Sequence, residues 1–295
     1  MNLNTQIKSL FSEQTANWEL ARRNYEGLKR LQTKTFDFGE FAVQVQFNPS
    51  RIRSTAAKTD DKSIAERICF LCAENRPKEQ KFIFWSNYEI LLNPYPVFPE
   101  HFTIVHREHR RQQILPFFAD LLLLSKELSD YTVFYNGACC GASAPDHLHF
   151  QAGTKDFLPL LKDYKCLETK ELLTNRENYK IYELKNYLRR VFCVEILVST
   201  RMTQIIQMLT DFFIQNNIDE MMINVICYYT ENQWFIFIFP RKAFRPFQYF
   251  SANETERLLV SPAAVELSGV IVTPREEDFL KIRKEDIVSI YKQVS

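Results

Sequence analysis

The sequence predicts an α+β fold, an antiparallel sheet with packed helices, organised as two halves of similar order. Three observations carry this. Short period-two apolar runs recur along the chain, a run of helical period crosses each half, and the second half repeats the order of the first without repeating its residues. The halves divide as residues 1–165 and 166–295.

Residues 4–31 place Ile7, Leu10, Phe11, Trp18, Ala21, Tyr25, Leu28 and Leu31 on one helical face, which predicts an amphipathic helix or helix pair. From 41 to 47 the period changes to two, with Phe41, Val43, Val45 and Phe47 on one side, so the sheet begins there. Residues 48–62 open on Asn-Pro and are rich in Ser, Thr, Arg, Lys and Asp. They predict a surface loop whose Ser50, Arg51 and residues 54–58 offer phosphate donors or are simply solvated. Residues 82–85 and 88–92 read as a hairpin across Ser86 and Asn87. Pro94, Pro96 and Pro99 force an extended connection to a strand at 102–105. A helix at 115–128, a strand at 131–135, a small-residue loop at 136–146 and a strand at 147–151 complete the half.

The second half follows the same grammar: strand-like runs between 179 and 198, a helix at 204–215, and a hairpin of 223–229 with 234–239. A strand at 269–273 and a closing helix at 284–294 end it.

Net charge is 37 − 36 = +1, which removes the broad positive footprint of a nucleic-acid-coating protein, so an anionic ligand must be held by a local site. The longest apolar stretches, 121–124 and 234–239, fall far short of the roughly 20 residues a bilayer span requires. No hydrophobic leader is apparent before Gln14, and a cytoplasmic protein is expected. Its seven cysteines are then thiols or metal ligands rather than a disulfide framework. Cys69 and Cys72 form a CxxC pair open to three readings: metal ligands, a redox pair or two core thiols.

All five histidines, His101, His106, His109, His147 and His149, lie within one sixth of the chain. A strand would put His147, His149 and Gln151 on one face and send Leu148 and Phe150 to the core. A polar solvent face would look the same. The preceding loop weighs against that, because Gly137, Gly141 and a run of small side chains let backbone N–H groups approach a ligand.

This HxHxQ row behind a small-residue loop resembles the histidine-triad superfamily in its transferase and phosphorylase branch. The stretch HLHFQA at 147–152 is similar to GDP-L-galactose phosphorylases, and 136–151 is similar to hexose-1-phosphate uridylyltransferases. The resemblance covers roughly residues 40–152; segments 237–241 and 245–249 resemble the phosphorylases' second half more weakly. It implies a duplicated histidine-triad-like fold and a nucleotidyltransferase or phosphorylase. It also implies a structural Zn²⁺ held by Cys69, Cys72, His109 and His147, an S₂N₂ set that suits a tetrahedral ion. The second metal site of the uridylyltransferases cannot be built here, since no histidine follows His149.

On this reading His149 attacks the α-phosphorus of a nucleotide and carries it covalently, an unperturbed imidazole being mostly neutral at pH 7. Ser143, the backbone N–H groups of Gly141, Ala142 and Ser143, and the Gln151 amide would stabilise the phosphoryl oxygens. Asn136 either touches the ribose or makes a turn. His106, Arg107, Arg110 and Arg111, and separately Arg241 and Arg245, either receive polyphosphate or are structural.

The expected reaction is GDP-hexose plus phosphate giving hexose 1-phosphate and GDP. Alternatives are diadenosine tetraphosphate phosphorolysis, hexose-1-phosphate uridylyl transfer and, from another class, a zinc-stabilised nucleotide-binding protein. Expected partners are a nucleotide sugar with phosphate or sugar phosphate, no nucleic acid and no membrane. A homodimer is allowed.

Overall fold

The computed structural model describes residues 2–57 and 60–295. Helix α1 (Leu3–Asn17) starts at Asn2, whose side chain accepts from the backbone N–H of Thr5, and buries Leu3, Ile7 and Leu10. At Trp18 the backbone turns extended and α2 (Glu19–Leu28) follows, so the amphipathic stretch is a helix pair.

Strands β1 (Thr33–Asp37) and β2 (Ala42–Phe47) pair antiparallel, and β2 does not open the main sheet. It joins a three-stranded sheet completed in parallel by a strand from the far end of the chain. Periodicity exposes a strand but not its partner, which explains the correction. Residues 48–57 and 60–62 are also more ordered than a loop: a 3₁₀ turn at Pro49–Arg51 runs into α3 (Ile52–Thr55), and Asp60 caps α4 (Asp61–Glu66). Lys58, the last of the donors expected there, lies outside the described residues.

The main sheet is assembled from β3 (Phe82–Trp85), β4 (Tyr88–Leu92), β5 (His101–His106), α5 (Phe118–Glu127), β6 (Tyr131–Asn136) and β7 (His149–Thr154). After α6 (Leu160–Cys166), the chain lays down β8 (Lys170–Asn175), β9 (Tyr179–Leu184), β10 (Phe192–Leu197), α7 (Met202–Gln215), β11 (Ile223–Thr230) and β12 (Gln233–Pro240) in the same order. Spatial order is β3-β4-β5-β7-β6-β11-β12-β10-β9-β8, which reads the same from either edge. The α+β expectation therefore holds, with antiparallel pairing throughout this sheet. The seam is the β6–β11 pair, where Asn136 stands opposite Asn224.

The chain closes with α8 (Phe247–Phe250), α9 (Ala264–Leu267), β13 (Val270–Thr273), α10 (Glu276–Lys281) and α11 (Lys284–Val294). β13 is the parallel partner of β2.

Alternation along the strands divides the core into two faces. One gathers Tyr88, Ile90, Phe102, Ile104, Leu148 and Phe150 with Val225 and Ile236 beneath α1, α2, α5 and α7. The other gathers Phe134, Ile226, Phe237 and Phe239 with β2, β13 and α11. Each such side chain contributes about 1.5–3 kcal/mol by leaving water. β12 matches β7 in the repeated order, yet its residues on this second face are Phe235, Phe237 and Phe239. Among the described residues, no helix is long and apolar enough to cross a membrane.

Candidate active site and metal-ligand cluster

The turn after α4 brings Cys69 and Cys72 against His109 and His147, and the four ligand atoms lie within 4.8 Å of one another. Cys69 Sγ is 3.4 Å from His147 Nδ1, and Cys72 Sγ is 3.2 Å from His109 Nδ1 and 3.6 Å from His147 Nδ1. A tetrahedral ion with usual Zn–S and Zn–N bonds sets S···N separations of about 3.6 Å, so the donor set fits. Burial and the adjacent Cys69 push the Cys72 thiol up to about 11, and a cation held there would favour its thiolate.

Outer contacts orient the donors. His147 Nε2–H donates to the His106 carbonyl at 2.7 Å, which leaves Nδ1 free for a cation. His109 Nε2 lies 3.6 Å from Asp146, which is itself paired with Arg67. Cys69 and Leu71 pack with Ala144, so the cluster also anchors the far end of the small-residue loop.

The expected row of three is a row of two. β7 begins at His149, and His147 lies on the preceding turn, where its ring serves the thiol cluster. His149 is 4 % exposed, so little of its ring can be reached from outside. Its Nδ1–H donates to the His147 carbonyl at 2.8 Å, while Nε2 bonds to no described residue and is not among the sealed, unpartnered polar atoms. Burial pushes this imidazole down to about 4, so it is neutral, the nucleophilic form, at physiological pH.

Gln151 shares the face of His149 and presents its carboxamide. Its Oε1 accepts from His101 Nε2–H at 3.0 Å, and His101 Nδ1 accepts from the Val97 N–H at 3.3 Å. Gln151 is thereby held with its NH₂ unspent. His101 must be neutral to donate and accept at once, and burial, with the nearby Arg51 charge, pushes it down to about 3.

Gln112, buried, is the clamp between strand and loop. Its Nε2 donates to the carbonyls of Asn136 and His149, and its Oε1 accepts from the His149 N–H. Neither His101 as a positioning group nor Gln112 was legible in the sequence, because a glutamine pair after two arginines carries no spacing signal.

The loop after β6 uses its glycines against protein, contrary to the expectation that they clear space for a ligand. A Cβ on Gly137 would lie 2.5 Å from the Met221 carbonyl oxygen, and one on Gly141 would lie 2.5 Å from Ala263 Cβ. Asn136 accepts from Asn224 Nδ2 and from the Ala264 N–H, which orients the loop and occupies the oxygen expected near a ribose. Ala142 donates its amide to Gly137. Gly141 and Ser143 remain, with backbone N–H groups that bond to no described residue, as does the Ser143 hydroxyl.

Arg241 is buried and spends its donors on Val294, Pro262, Ala243 and Phe244 carbonyls and on Asn224. It is a scaffold group rather than a polyphosphate ligand. Arg245 ties Ser261 to the carbonyls of Thr55 and Ala57. The basic patch also disperses: His106 is buried, Arg107 covers Phe84, and Arg110 pairs with Glu108.

Gly141 combines φ +123° with the contact to Ala263, so its replacement tests the loop. Gly141→Ala is expected to lower stability by about 1–3 kcal/mol through overpacking and left-handed strain. Adding Ala263→Gly should restore only part, since it relieves the clash and not the backbone. Thermal unfolding of the single and double variants checks this; an unchanged midpoint in the single variant refutes the packing account.

Residues 10–154 match a family described as "Domain of unknown function (DUF4922)", and residues 164–295 match "GDPGP1-like, C-terminal domain". A 73-residue stretch is 37 % identical to Protein APA1 of Saccharomyces cerevisiae, spanning 22 % of this chain and 23 % of that protein. Yeast Ap4A phosphorylase Apa2 has a similar fold. Its structure superposes with TM-score 0.63 at 16 % identity, covering 100 % of this chain and 98 % of Apa2, and its complex with Ap4A gives 0.61 at 17 %, covering 97 % and 95 %. At these identities the likeness concerns the fold.

Proposed function

We propose that the chain is a nucleotide phosphorylase of the phosphorylase branch of the histidine-triad superfamily, working through a nucleotidyl-His149 intermediate; the family match over 164–295 and the fold likeness to Apa2 support this reading. The observation that carries this is the hydrogen bond from His149 Nδ1–H to the His147 carbonyl, which directs the lone pair of a neutral ring to the unpartnered Nε2.

Nε2 attacks the α-phosphorus of a nucleoside diphosphate derivative. The P–N bond forms as the P–O bond to the leaving phosphate breaks. Inorganic phosphate then attacks the same phosphorus, the P–N bond breaks, and His149 returns to its starting state with a nucleoside diphosphate released. The free amides of Gly141 and Ser143, the Ser143 hydroxyl and the Gln151 NH₂ are the donors for the non-bridging oxygens; removing one such donor typically costs about 10²–10³-fold in rate. Cys69, Cys72, His109 and His147 would hold Zn²⁺, which when bound supplies a structural anchor for His147 and the loop. Residues 1–165 act as the catalytic half. Residues 166–295 act as a support whose β12 carries phenylalanines where β7 carries His149 and Gln151. Both halves belong to one chain, so a homodimer is not required. Seven free thiols suit a reducing, cytoplasmic setting.

The first substrate class is GDP-hexose, supported by the HLHFQA motif and the match over 164–295. The second is a dinucleoside tetraphosphate, supported by the fold likeness to Apa2 along the whole chain. A panel of nucleotide sugars and dinucleotides, assayed with and without phosphate, decides. GDP with hexose 1-phosphate supports the first and ADP with ATP the second. No phosphate-dependent turnover of either class would remove the reading.

A further inference from the structure

The 3₁₀ turn and α3 place Arg51 and Arg53 two residues apart, and one tyrosine organises both. Arg51 Nη1 donates to the Tyr95 carbonyl at 2.8 Å, and Arg53 Nη1 donates to the Tyr95 hydroxyl at 3.3 Å. Between this turn and α2 lies a cavity of about 300 Å³, bordered by Arg23, Arg53, Asn24, Ser50, Tyr95 and the apolar Leu20. No acidic side chain lines it. Arg23 and Arg53 enter no ion pair with a described residue, and Arg23 keeps all its guanidinium donors. Two arginines thus border one cavity without a counter-charge, and guanidinium forks are matched to phosphate oxygens.

Size narrows the ligand. Small-molecule pockets run from about 300 to 1,000 Å³, so this one takes a phosphate group with little of its substituent. The cavity borders α2, whose Ala21 and Tyr25 pack in the core face that also holds Leu148 and Phe150.

We propose that this cavity is a phosphate-capture site, in which Arg23 and Arg53 take up a phosphate dianion. The dianion is the inorganic acceptor or the terminal phosphate of a nucleotide. The inference rests on the nucleotidyl-transfer reading only for what the anion does next.

The experiment is a titration of the full chain with inorganic phosphate, and separately with ADP, followed by ³¹P line broadening. Wild type and His149→Ala are expected to bind alike. The double variant Arg23→Ala/Arg53→Ala is expected to bind about tenfold or more weakly, each charged hydrogen bond being a strong one. Both arginines are exposed, so circular dichroism should match wild type. A double lysine variant should recover part of the affinity through charge without the planar fork. Weakened phosphate binding assigns the site to the acceptor, and weakened ADP binding alone assigns it to the nucleotide tail. Unchanged binding of both overturns the proposal. If His149 forms no adduct while the arginine variants still lose phosphate, the nucleotidyl-histidine reading fails and the capture site stands.

Discussion

Alanine at position 149 is expected to reduce phosphorolysis by about 10⁴-fold or more and to abolish any nucleotidyl adduct on the intact chain. The size follows from the role: a nucleophile whose bond to phosphorus defines the intermediate cannot be replaced by its neighbours, and comparable knockouts cost as much as the whole catalytic unit. On the proposed mechanism Gln151 and the loop amides survive the substitution and still hold the nucleotide, so the loss should fall on kcat and not on affinity. Truncating the ring also removes the Nδ1–H···O=C bond to His147 and opens a small cavity. His149→Asn, which fills more of that space without a comparable nucleophile, should be equally inactive. Rapid-quench assays with labelled substrate and intact-protein mass spectrometry provide the measurement. Retained turnover in both variants would end the nucleotidyl-histidine mechanism.

Chelation of the ion proposed for Cys69, Cys72, His109 and His147 is expected to have the second large effect. A ligand that binds only the folded chain stabilises it by RT ln(1 + [L]/Kd), about 4 kcal/mol when the free ion exceeds Kd a thousandfold. At roughly 2 °C per kcal/mol for a chain of this length, chelation should lower the unfolding midpoint by about 8 °C. Cys69→Ser should do the same without chelator and should become insensitive to it. Activity should fall as well, because Cys69 and Leu71 pack on Ala144 and His147 supplies the carbonyl that orients His149. Mass spectrometry under native conditions would identify the ion. A midpoint indifferent to both chelator and substitution would reduce the four residues to a thiol–imidazole contact.

These expectations draw on two kinds of information. The CxxC pair, the clustered histidines and the spacing of His149 and Gln151 were legible because each is a short-range pattern, and a strand's period of two places alternate residues whatever lies around them. The same arithmetic overreached at His147: it assumed the strand began two residues too early, and nothing local announces that the chain turns there to meet Cys69. The repeated order of the halves could also be read, since each element has its own periodicity.

What the sequence determined by itself was therefore the α+β class, most of the element order within the main sheet and the residue types available for phosphorus and metal chemistry. Tertiary structure alone decided the palindromic sheet, the parallel union of β2 with β13, the clamp by Gln112, the support of Gln151 by His101, and the use of Gly141 against Ala263. The physical reason is range. Periodicity and spacing act over a few residues, whereas a buried polar group takes whatever partner the fold delivers, and for Asn136 that partner, Asn224, lies 88 residues away.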